Sequence, residues 1–276
     1  MPAPDLPPPP EFVVTERPLQ VHLHVNLVSP DALVGATVVV IDALRASATI
    51  AAALASGATR VVPALTVDDA LASGTRWRAM GERVVLGGER GGVLIPGFDL
   101  DNSPRRYTPE RVAGATVVFT TTNGTAALLH ARGGARVLVG AFPNLGAVAE
   151  AVANDPRPVH IVCCGTRSEI SLDDVLPAGA FVERLVEAGR QLVAEDSGRV
   201  ALMAWRGALA SPGGLNEAMR ASRGGRNLAR QGLAADVDEC AAIDVLRVVP
   251  RFVPGAGPDA GVIVREDGGA GEASTA

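Results

Sequence analysis

Short apolar runs rich in β-branched residues recur along the chain and predict buried strands. These runs are Thr37 to Ile41, Arg60 to Pro63, Val84 to Leu86, Thr116 to Phe119, Val137 to Val139 and Val159 to Cys163. Helical segments separate them, at Ala46 to Ser56, Thr66 to Ala79, Thr125 to Ala131, Leu145 to Ala153 and Leu172 to Leu192. Continuous apolar strands are covered on both faces, and strands that alternate with helices form mostly parallel sheets. We therefore predict an α/β fold of three layers, α/β/α, with a mostly parallel or mixed sheet.

The pattern is weaker in the last third of the chain and at the two ends. The candidates there are a strand at Val200 to Trp205, helices at Asn216 to Leu233 and Ala234 to Ala242, and a final strand at Gly261 to Val264. Neither end has apolar side chains to bury, because residues 1–10 are mostly proline and residues 266–276 are small or polar. We predict a disordered arm at 1–10, a single α/β domain at 11–265 and a disordered tail at 266–276.

The composition supports a large core and restricts the chemistry. Of the 276 residues, 47% are hydrophobic, so no disulfide or structural metal is needed for stability. All 25 basic residues are arginine, and lysine is absent. This excludes enzymes that form a lysine Schiff base and proteins whose phosphate-binding loop uses a lysine. Arginine binds phosphate-like and carboxylate-like anions through paired hydrogen bonds, so a small anionic ligand remains open.

Charge and cysteine content indicate the partners and the compartment. A net charge of −5 and few aromatic residues (six Phe, two Trp, one Tyr) argue against nucleic-acid binding. Three cysteines, an odd number, are typical of reduced thiols. The proline-rich start is unlike a secretory signal, and no apolar run reaches the length of a membrane span. We expect a soluble cytoplasmic protein.

In open α/β sheets, ligands bind beyond the carboxyl ends of the strands, next to helix N-termini. The first such junction carries Asp42 and Arg45. Either both side chains face a pocket, or Asp42 caps the following helix and pairs with Arg45. A buried strand that ends in aspartate is also found in haloacid-dehalogenase phosphatases. We exclude that family, because Leu44 stands where those enzymes require a second aspartate.

The second junction places Glu89 and Arg90 between two pairs of glycines. Glycines at this density let the backbone approach a ligand closely, and a mobile surface loop is the alternative. A polar turn at Asn102 and Ser103 follows.

The third junction combines three threonines with an Asn-Gly pair and a further threonine. Its candidate residues are Thr121, Thr122, Asn123, Gly124 and Thr125. Hydroxyls next to a helix N-terminus can bind phosphate, whereas Asn-Gly alone is also typical of a hairpin. The helical pattern that follows favours the anion site.

The fourth junction runs from Cys163 into a helix that begins near Asp173 and Asp174. Ser171 and Asp174 fit a capping box, which accounts for only one of the two carboxylates. Across a pocket from Asp42, the pair could supply hard oxygen ligands to a divalent cation. A cysteine phosphatase is excluded, because neither Cys163 nor Cys164 has an arginine six residues later. We expect both thiols to pack in the core.

The histidines carry less information. His22 and His24 share a face of a predicted N-terminal strand, where a solvated edge is the simpler interpretation and a zinc site the alternative. His160 lies within a strand and is expected in the core.

Six segments, in order, resemble the 2-phosphosulfolactate phosphatase family over about Val38 to Pro250. They are VVVIDALRAS, GGERGG, GFDLDNSP, TTTNGT, CCGTRSEISLDD and SRGGRNLARQGLAADVDECAAIDVLRVVP. The resemblance implies a Mg²⁺-dependent hydrolase that converts (R)-2-phospho-3-sulfolactate to (R)-3-sulfolactate and phosphate, a step in coenzyme M biosynthesis. It also implies an α/β/α fold, and it is compatible with a homo-oligomer.

Carried over position by position, the resemblance implies roles at all four junctions. Catalysis is assigned to Asp42, Arg45 and Asp174, and Mg²⁺ binding to Asp42, Glu89 and Asp174. Substrate binding is assigned to Arg90, Asn102, Ser103, Thr121, Thr122, Asn123, Gly124, Thr125 and Gly165. Asp173 stands where the family is expected to have glutamate, so its role is less defined.

Three points stay open. The enzyme could act on another phosphorylated hydroxy acid, or the chain could be a non-catalytic protein that binds anions. In an enzyme, either water attacks the phosphoryl group directly or Asp42 forms an aspartyl-phosphate.

Overall fold

A computed structural model describes residues 16–122, 124–193, 195–255 and 259–266. The predicted arm at 1–10, the tail from residue 267 onward and Asn123 lie outside the described residues. Glu266, which the sequence pattern assigns to the tail, forms an ion pair with Arg136.

Eleven strands of the described chain form one mixed sheet. Their bounds are β1 Pro18–His22, β2 Thr37–Ile41, β3 Arg60–Pro63, β4 Val84–Arg90, β5 Val93–Leu94, β6 Thr116–Thr120, β7 Arg136–Val139, β8 Val159–Cys163, β9 Gln191–Leu192, β10 Pro250–Pro254 and β11 Gly261–Arg265.

Ten α-helices occur in the same described ranges, together with four short 3₁₀ turns. The helices are α1 Ala46–Ala55, α2 Val67–Ala79, α3 Pro109–Val112, α4 Gly124–His130, α5 Leu145–Ala153, α6 Leu172–Glu187, α7 Asp196–Ala210, α8 Gly214–Ala221, α9 Arg223–Arg230 and α10 Ala234–Ala241. The 3₁₀ turns are Val25–Leu27, Pro30–Leu33, Pro104–Arg106 and Phe142–Asn144.

The sheet has two parallel blocks, β4-β6-β3 and β7-β2-β8-β1-β9, joined by the antiparallel hairpin of β10 and β11. Three successive antiparallel pairings make the two blocks run in opposite directions along the sheet. Even so, the ends of β2 at Asp42 and of β6 at Thr121 line one cavity. The carboxyl ends of strands from both blocks therefore line the same cavity.

Both faces of the central strands are buried, as the continuous apolar runs predict. Val39 and Ile41 of β2 pack in one cluster with Phe181 of α6, which also contains residues of α5 and α7. The alternate residues Val38 and Val40 pack in a second cluster with residues of α1 and α4. Helices thus cover both sides of the sheet, which confirms the predicted α/β fold.

The strand predicted at Val200 to Trp205 is wrong, because this segment lies inside α7. Ala201, Trp205 and Ala208 are buried, while Val200 is exposed. This spacing of four and three residues is the period of a helix that packs on one side. The predicted helix from Leu172 also ends early, at Glu187, and the chain then forms β9 at the sheet edge.

Two further observations concern membrane-spanning helices and the cysteines. No helix in the described ranges is both long and apolar enough to traverse a lipid bilayer. Cys163, Cys164 and Cys240 are free and buried.

Candidate active site

The carboxyl ends of β2, β3, β6 and β7 meet around a small cavity of about 10 Å³, roughly the space of one water molecule. Its polar lining comes from two of the predicted junctions, namely from Asp42, Ser47, Thr121 and Thr125, and its apolar lining includes Val40, Ile50, Phe119 and Leu128. The structure therefore brings together the first and third junctions, which the sequence could place only at separate strand ends.

Asp42 ends β2 and is held by the first turn of α1. Its backbone N–H donates to the Ser47 hydroxyl (2.9 Å), and the Ala46 backbone N–H donates to its carboxylate. Burial, followed by repulsion from Asp173 and then Glu89, raises the pKa of Asp42 to about 7. Arg45, and not Asp42, is therefore the N-cap residue of α1, although one N–H of the first turn reaches the Asp42 carboxylate.

Glu89 is the penultimate residue of β4, so the glycine-rich segment is a strand end and not a mobile loop. Its Oε1 accepts from the backbone N–H and the hydroxyl of Thr122, both at 2.9 Å. Its Oε2 accepts from the Gly92 backbone N–H at 2.6 Å. The buried carboxylate thereby links the second junction to the third.

Asp174 connects β2 and β8 at their carboxyl ends. Its Oδ1 accepts from the Ala43 N–H and its Oδ2 from the Gly165 N–H, both at 2.8 Å. Burial, with repulsion from Asp173 and Asp42, nevertheless raises its pKa. The predicted capping box does not form, because Ser171 makes no side-chain cap and donates its hydroxyl to Asp173 instead.

Asp173, whose role the sequence left undefined, is a buried acid that interacts with Asp42. Its Oδ1 accepts from Ser171 Oγ (2.7 Å) and from the Gly224 N–H at the start of α9 (3.3 Å). It is buried, and its repulsion raises the pKa of Asp42 more than the repulsion from Glu89 does.

The four carboxylates of Asp42, Glu89, Asp173 and Asp174 are buried, and none forms an ion pair with any described residue. Buried charges without a cation are costly, so this cluster is suited to a positive ligand. The described residues include no preformed group of three His, Cys, Asp or Glu side chains that could hold a metal. Mg²⁺ requires less, because it commonly uses one or two carboxylates, substrate phosphate and water. The hard oxygen donors fit this ion.

The simpler sequence interpretation, in which Arg45 pairs with Asp42, is wrong, because Arg45 pairs with another aspartate. Its Nη1 lies 2.5 Å from Oδ2 of Asp236 on α10, and its Nη2 donates to the Gly92 carbonyl at 2.9 Å. Ser103 donates its hydroxyl to the other oxygen of Asp236 at 2.7 Å. Two predicted site residues, Arg45 and Ser103, therefore meet on one carboxylate.

Arg90 is half-buried and forms no ion pair with the described acids. Its guanidinium donates to the carbonyls of Glu89 and Leu65 and to the Thr120 hydroxyl. Because these partners are neutral, the positive charge of Arg90 remains available to an anion.

Two predicted substrate-binding residues have buried polar atoms without a hydrogen-bond partner. These are Thr121 Oγ1 and Asn102 Oδ1. Unpartnered buried polar atoms are uncommon and often mark a place where a ligand or water binds. Thr122, in contrast, is already engaged with Glu89, and Asn123 lies outside the described residues.

The glycines at two predicted positions make room for the carboxylates. A Cβ at Gly124 would lie 2.9 Å from Oδ2 of Asp42, so only glycine lets the start of α4 approach this closely. Gly165 has φ of +70°, and a Cβ there would lie 2.1 Å from the ring of His24.

The remaining cysteines and histidines contribute packing. Burial raises the pKa of the Cys163 and Cys164 thiols, which keeps them protonated and unreactive, as expected. The solvated edge expected for His22 and His24 is wrong, because both are buried. His22 Nε2 lies 2.9 Å from Nδ1 of His160, and His24 accepts from the Asn26 N–H.

Sequence reasoning gave no role to Asp236 or Gly224. Both lie in the segment SRGGRNLARQGLAADVDEC, which contributed to the family resemblance but is distant from any strand end. The available signal was an aspartate near the start of the helix predicted at Ala234 to Ala242.

Comparisons with known proteins identify one family. A family model described as 2-phosphosulpholactate phosphatase matches residues 23–255. A "Probable 2-phosphosulfolactate phosphatase" of Symbiobacterium thermophilum is 40% identical over 232 residues, covering 84% of this chain and 97% of the relative. A protein of the same name from Deinococcus radiodurans is 42% identical over 243 residues, covering 87% and 97%. Another from a Synechococcus species is 41% identical over 236 residues, covering 84% and 95%.

Proposed function

The chain belongs to the 2-phosphosulfolactate phosphatase family, and from this premise we propose that it hydrolyses (R)-2-phospho-3-sulfolactate to (R)-3-sulfolactate and phosphate with the help of Mg²⁺. It is a phosphoric monoester hydrolase by family. The names of the relatives support 2-phosphosulfolactate as the substrate, and the buried carboxylates support the use of Mg²⁺.

One observation carries the proposal. Four buried carboxylates lie around the carboxyl end of β2 and form no ion pair with any described residue, and unpartnered Thr121 and half-buried Arg90 lie at the neighbouring junctions. A protein that only bound an anion would gain nothing from four acids beside its ligand. A phosphatase that brings a cation and a phosphate together requires both features.

In this proposal Asp42 and Asp173 hold Mg²⁺, and Glu89, whose two oxygens already accept hydrogen bonds, adds negative charge beside the ion. Asp174 is engaged on both oxygens by backbone N–H groups, so it orients the β2 and β8 ends around the ion. When bound, Mg²⁺ would neutralise part of the phosphate charge and polarise the phosphoryl group.

The other residues bind and orient the substrate. The Thr121 hydroxyl is free to donate to a phosphate oxygen, and the start of α4 at Gly124 lies next to Asp42. Arg90 has no acidic partner, so it is the arginine best suited to an anionic group of the substrate, such as the sulfonate or the carboxylate.

We extend the proposal to the cell. The three buried free thiols suit the cytoplasm, and sulfolactate as the product would serve coenzyme M biosynthesis, as the family resemblance implies. The formal charge of −5 supports a small-molecule substrate over nucleic acid, and we propose a homo-oligomer.

Release of inorganic phosphate tests the function. The purified protein should release phosphate from 2-phosphosulfolactate with Mg²⁺, and a chelator should stop the reaction. A panel of phosphorylated hydroxy acids serves as the comparison. Faster turnover of another panel member would change the substrate, and no turnover of any ester would contradict the enzymatic proposal.

A further inference from the structure

Asp236 is a buried carboxylate that contacts two residues of the candidate site. It lies on α10, is 2% exposed, and accepts from Ser103 Oγ at 2.7 Å and from Arg45 Nη1 at 2.5 Å. Arg45 is equally buried, at 2% exposure, and Asp236 is its ion-pair partner among the described acids. The pair therefore attaches α10 to the junction of β2 and α1, across 191 positions of sequence.

The same contacts extend to the loop after β4. Arg45 Nη2 donates to the Gly92 carbonyl at 2.9 Å, and Gln231, after α9, donates to the Gly91 carbonyl at 2.7 Å. Gly92 in turn donates its N–H to Glu89. Arg45 is thus held by Asp236 on one side and by the backbone next to a cluster carboxylate on the other.

Arg45 lies near the acidic cluster without pairing with it. It is close enough to lower the pKa of Asp42, although less strongly than burial and the neighbouring acids raise it. None of Asp42, Glu89 and Asp173 forms an ion pair with Arg45. A buried guanidinium without a carboxylate is strongly unfavourable, so Arg45 would turn to these acids if Asp236 lost its charge. In that position it would occupy the place of a cation.

We propose that Asp236 is a positioning residue that holds the Arg45 guanidinium away from Asp42, Glu89 and Asp173 and so keeps these carboxylates available to a divalent cation. The consequence for cation binding rests on the proposed function, whereas the position of Arg45 does not. The role differs from simple stabilisation, because it requires Arg45 to compete with the metal when Asp236 is neutral.

The experiment measures Mg²⁺ binding by calorimetry, with magnesium chloride as the only probe, and the position of Arg45 by crystallography. Asp236→Asn should weaken Mg²⁺ binding by about tenfold, because a guanidinium replaces the metal at the carboxylates. Adding Arg45→Met to Asp236→Asn removes the competing charge and should restore the affinity to within about threefold of wild type. A purely structural role predicts no such rescue.

Asp238→Asn is the matched control. Asp238 lies on the same helix but pairs with Arg220 at the surface, so its loss should leave Mg²⁺ binding unchanged. A folded Asp236→Asn variant with wild-type Mg²⁺ affinity and an unmoved Arg45 would overturn the proposal. If that variant does not fold, Asp236→Glu replaces it. The longer glutamate side chain should shift the position of the Arg45 guanidinium with which it pairs. A guanidinium in its wild-type position would again overturn the proposal.

The two proposals fail in different ways. If the wild-type protein binds no Mg²⁺ and releases phosphate without it, the metal part of the proposed function is wrong. The crystal structure of Asp236→Asn then decides the role of Asp236 alone. If Arg45 has moved onto the carboxylates, the positioning role of Asp236 is supported. If Arg45 keeps its original position, that role is contradicted.

Discussion

Thr122 donates both its backbone N–H and its hydroxyl to one oxygen, Oε1 of Glu89, each at 2.9 Å. The contact joins the carboxyl ends of β6 and β4, and it fixes a cluster carboxylate with groups that the sequence suggested for phosphate. Its neighbour Thr121 has the opposite character, because its buried hydroxyl has no partner. Of these adjacent threonines, Thr122 therefore positions a carboxylate of the protein, whereas the hydroxyl of Thr121 is free for a ligand.

Thr121→Val tests the free hydroxyl. Valine has nearly the same shape and removes a buried unsatisfied group, so the free energy of unfolding should stay constant or rise by up to about 1 kcal/mol. The kcat/KM for phosphate release should fall about tenfold, and inhibition by inorganic phosphate should weaken. Urea unfolding and steady-state kinetics measure the two effects. A stable variant with unchanged kinetics would place the phosphate elsewhere.

Gly224→Ala tests the approach of α9 to Asp173. A Cβ at this position would lie 2.7 Å from Oδ2 of Asp173, so the carboxylate must shift. A displaced cluster carboxylate should reduce kcat/KM by about tenfold or more. Gly207→Ala is the control, since its Cβ would meet nothing within 4 Å inside α7 and should stabilise the helix by about 0.5–1 kcal/mol. Equal activity in both variants would argue against a role for Asp173.

Asp174→Asn separates orientation from metal binding. An amide can accept through only one oxygen, so its NH₂ group would face the N–H of Ala43 or Gly165. The free energy of unfolding should fall by about 2–3 kcal/mol. Asp173→Asn is the comparison, because its Oδ1 alone accepts the known hydrogen bonds and it should lose activity with little loss of stability. Undiminished stability of Asp174→Asn would indicate that Asp174 is a ligand and not a structural link.

The pair of His22 and His160 predicts loss of stability in acid. Burial and the neighbouring His160 lower the pKa of His22 to about 4, below its ordinary value of 6.5, and burial also lowers the pKa of His160. The native state therefore favours neutral rings, so this contribution is complete above pH 6.5 and is lost as the pH falls towards 4. Wild type should lose about 2 kcal/mol more than His22→Gln over this range. Parallel stability curves of the two proteins would contradict the assignment.

Local patterns predicted much of the fold for a physical reason. The runs at β2 and β8 are continuous because both faces of these strands are buried, and α5 matches its predicted bounds. The pattern failed at α7, where the run from Val200 to Trp205 is continuously apolar although only one side of the helix is buried. It also gave no indication of β10, whose terminal prolines lack the N–H that a sheet interior needs.

The site was predictable only where it follows strand ends. Asp42 and Thr121 line one cavity, and Glu89 lies close enough to raise the pKa of Asp42, although β2 lies in a block that runs opposite to the block of β4 and β6. The pairing of Arg45 with Asp236 was not predictable, because it depends on how α10 packs after the whole sheet has formed.

The central claim is that Asp42, within an acidic cluster that takes Mg²⁺, is required for release of phosphate from 2-phosphosulfolactate. The most direct measurement is the rate of that release by wild type and Asp42→Asn at saturating Mg²⁺, with circular dichroism to show that both are folded. We expect the folded variant to lose at least about a thousandfold in kcat. A folded Asp42→Asn variant that releases phosphate at the wild-type rate would contradict the account.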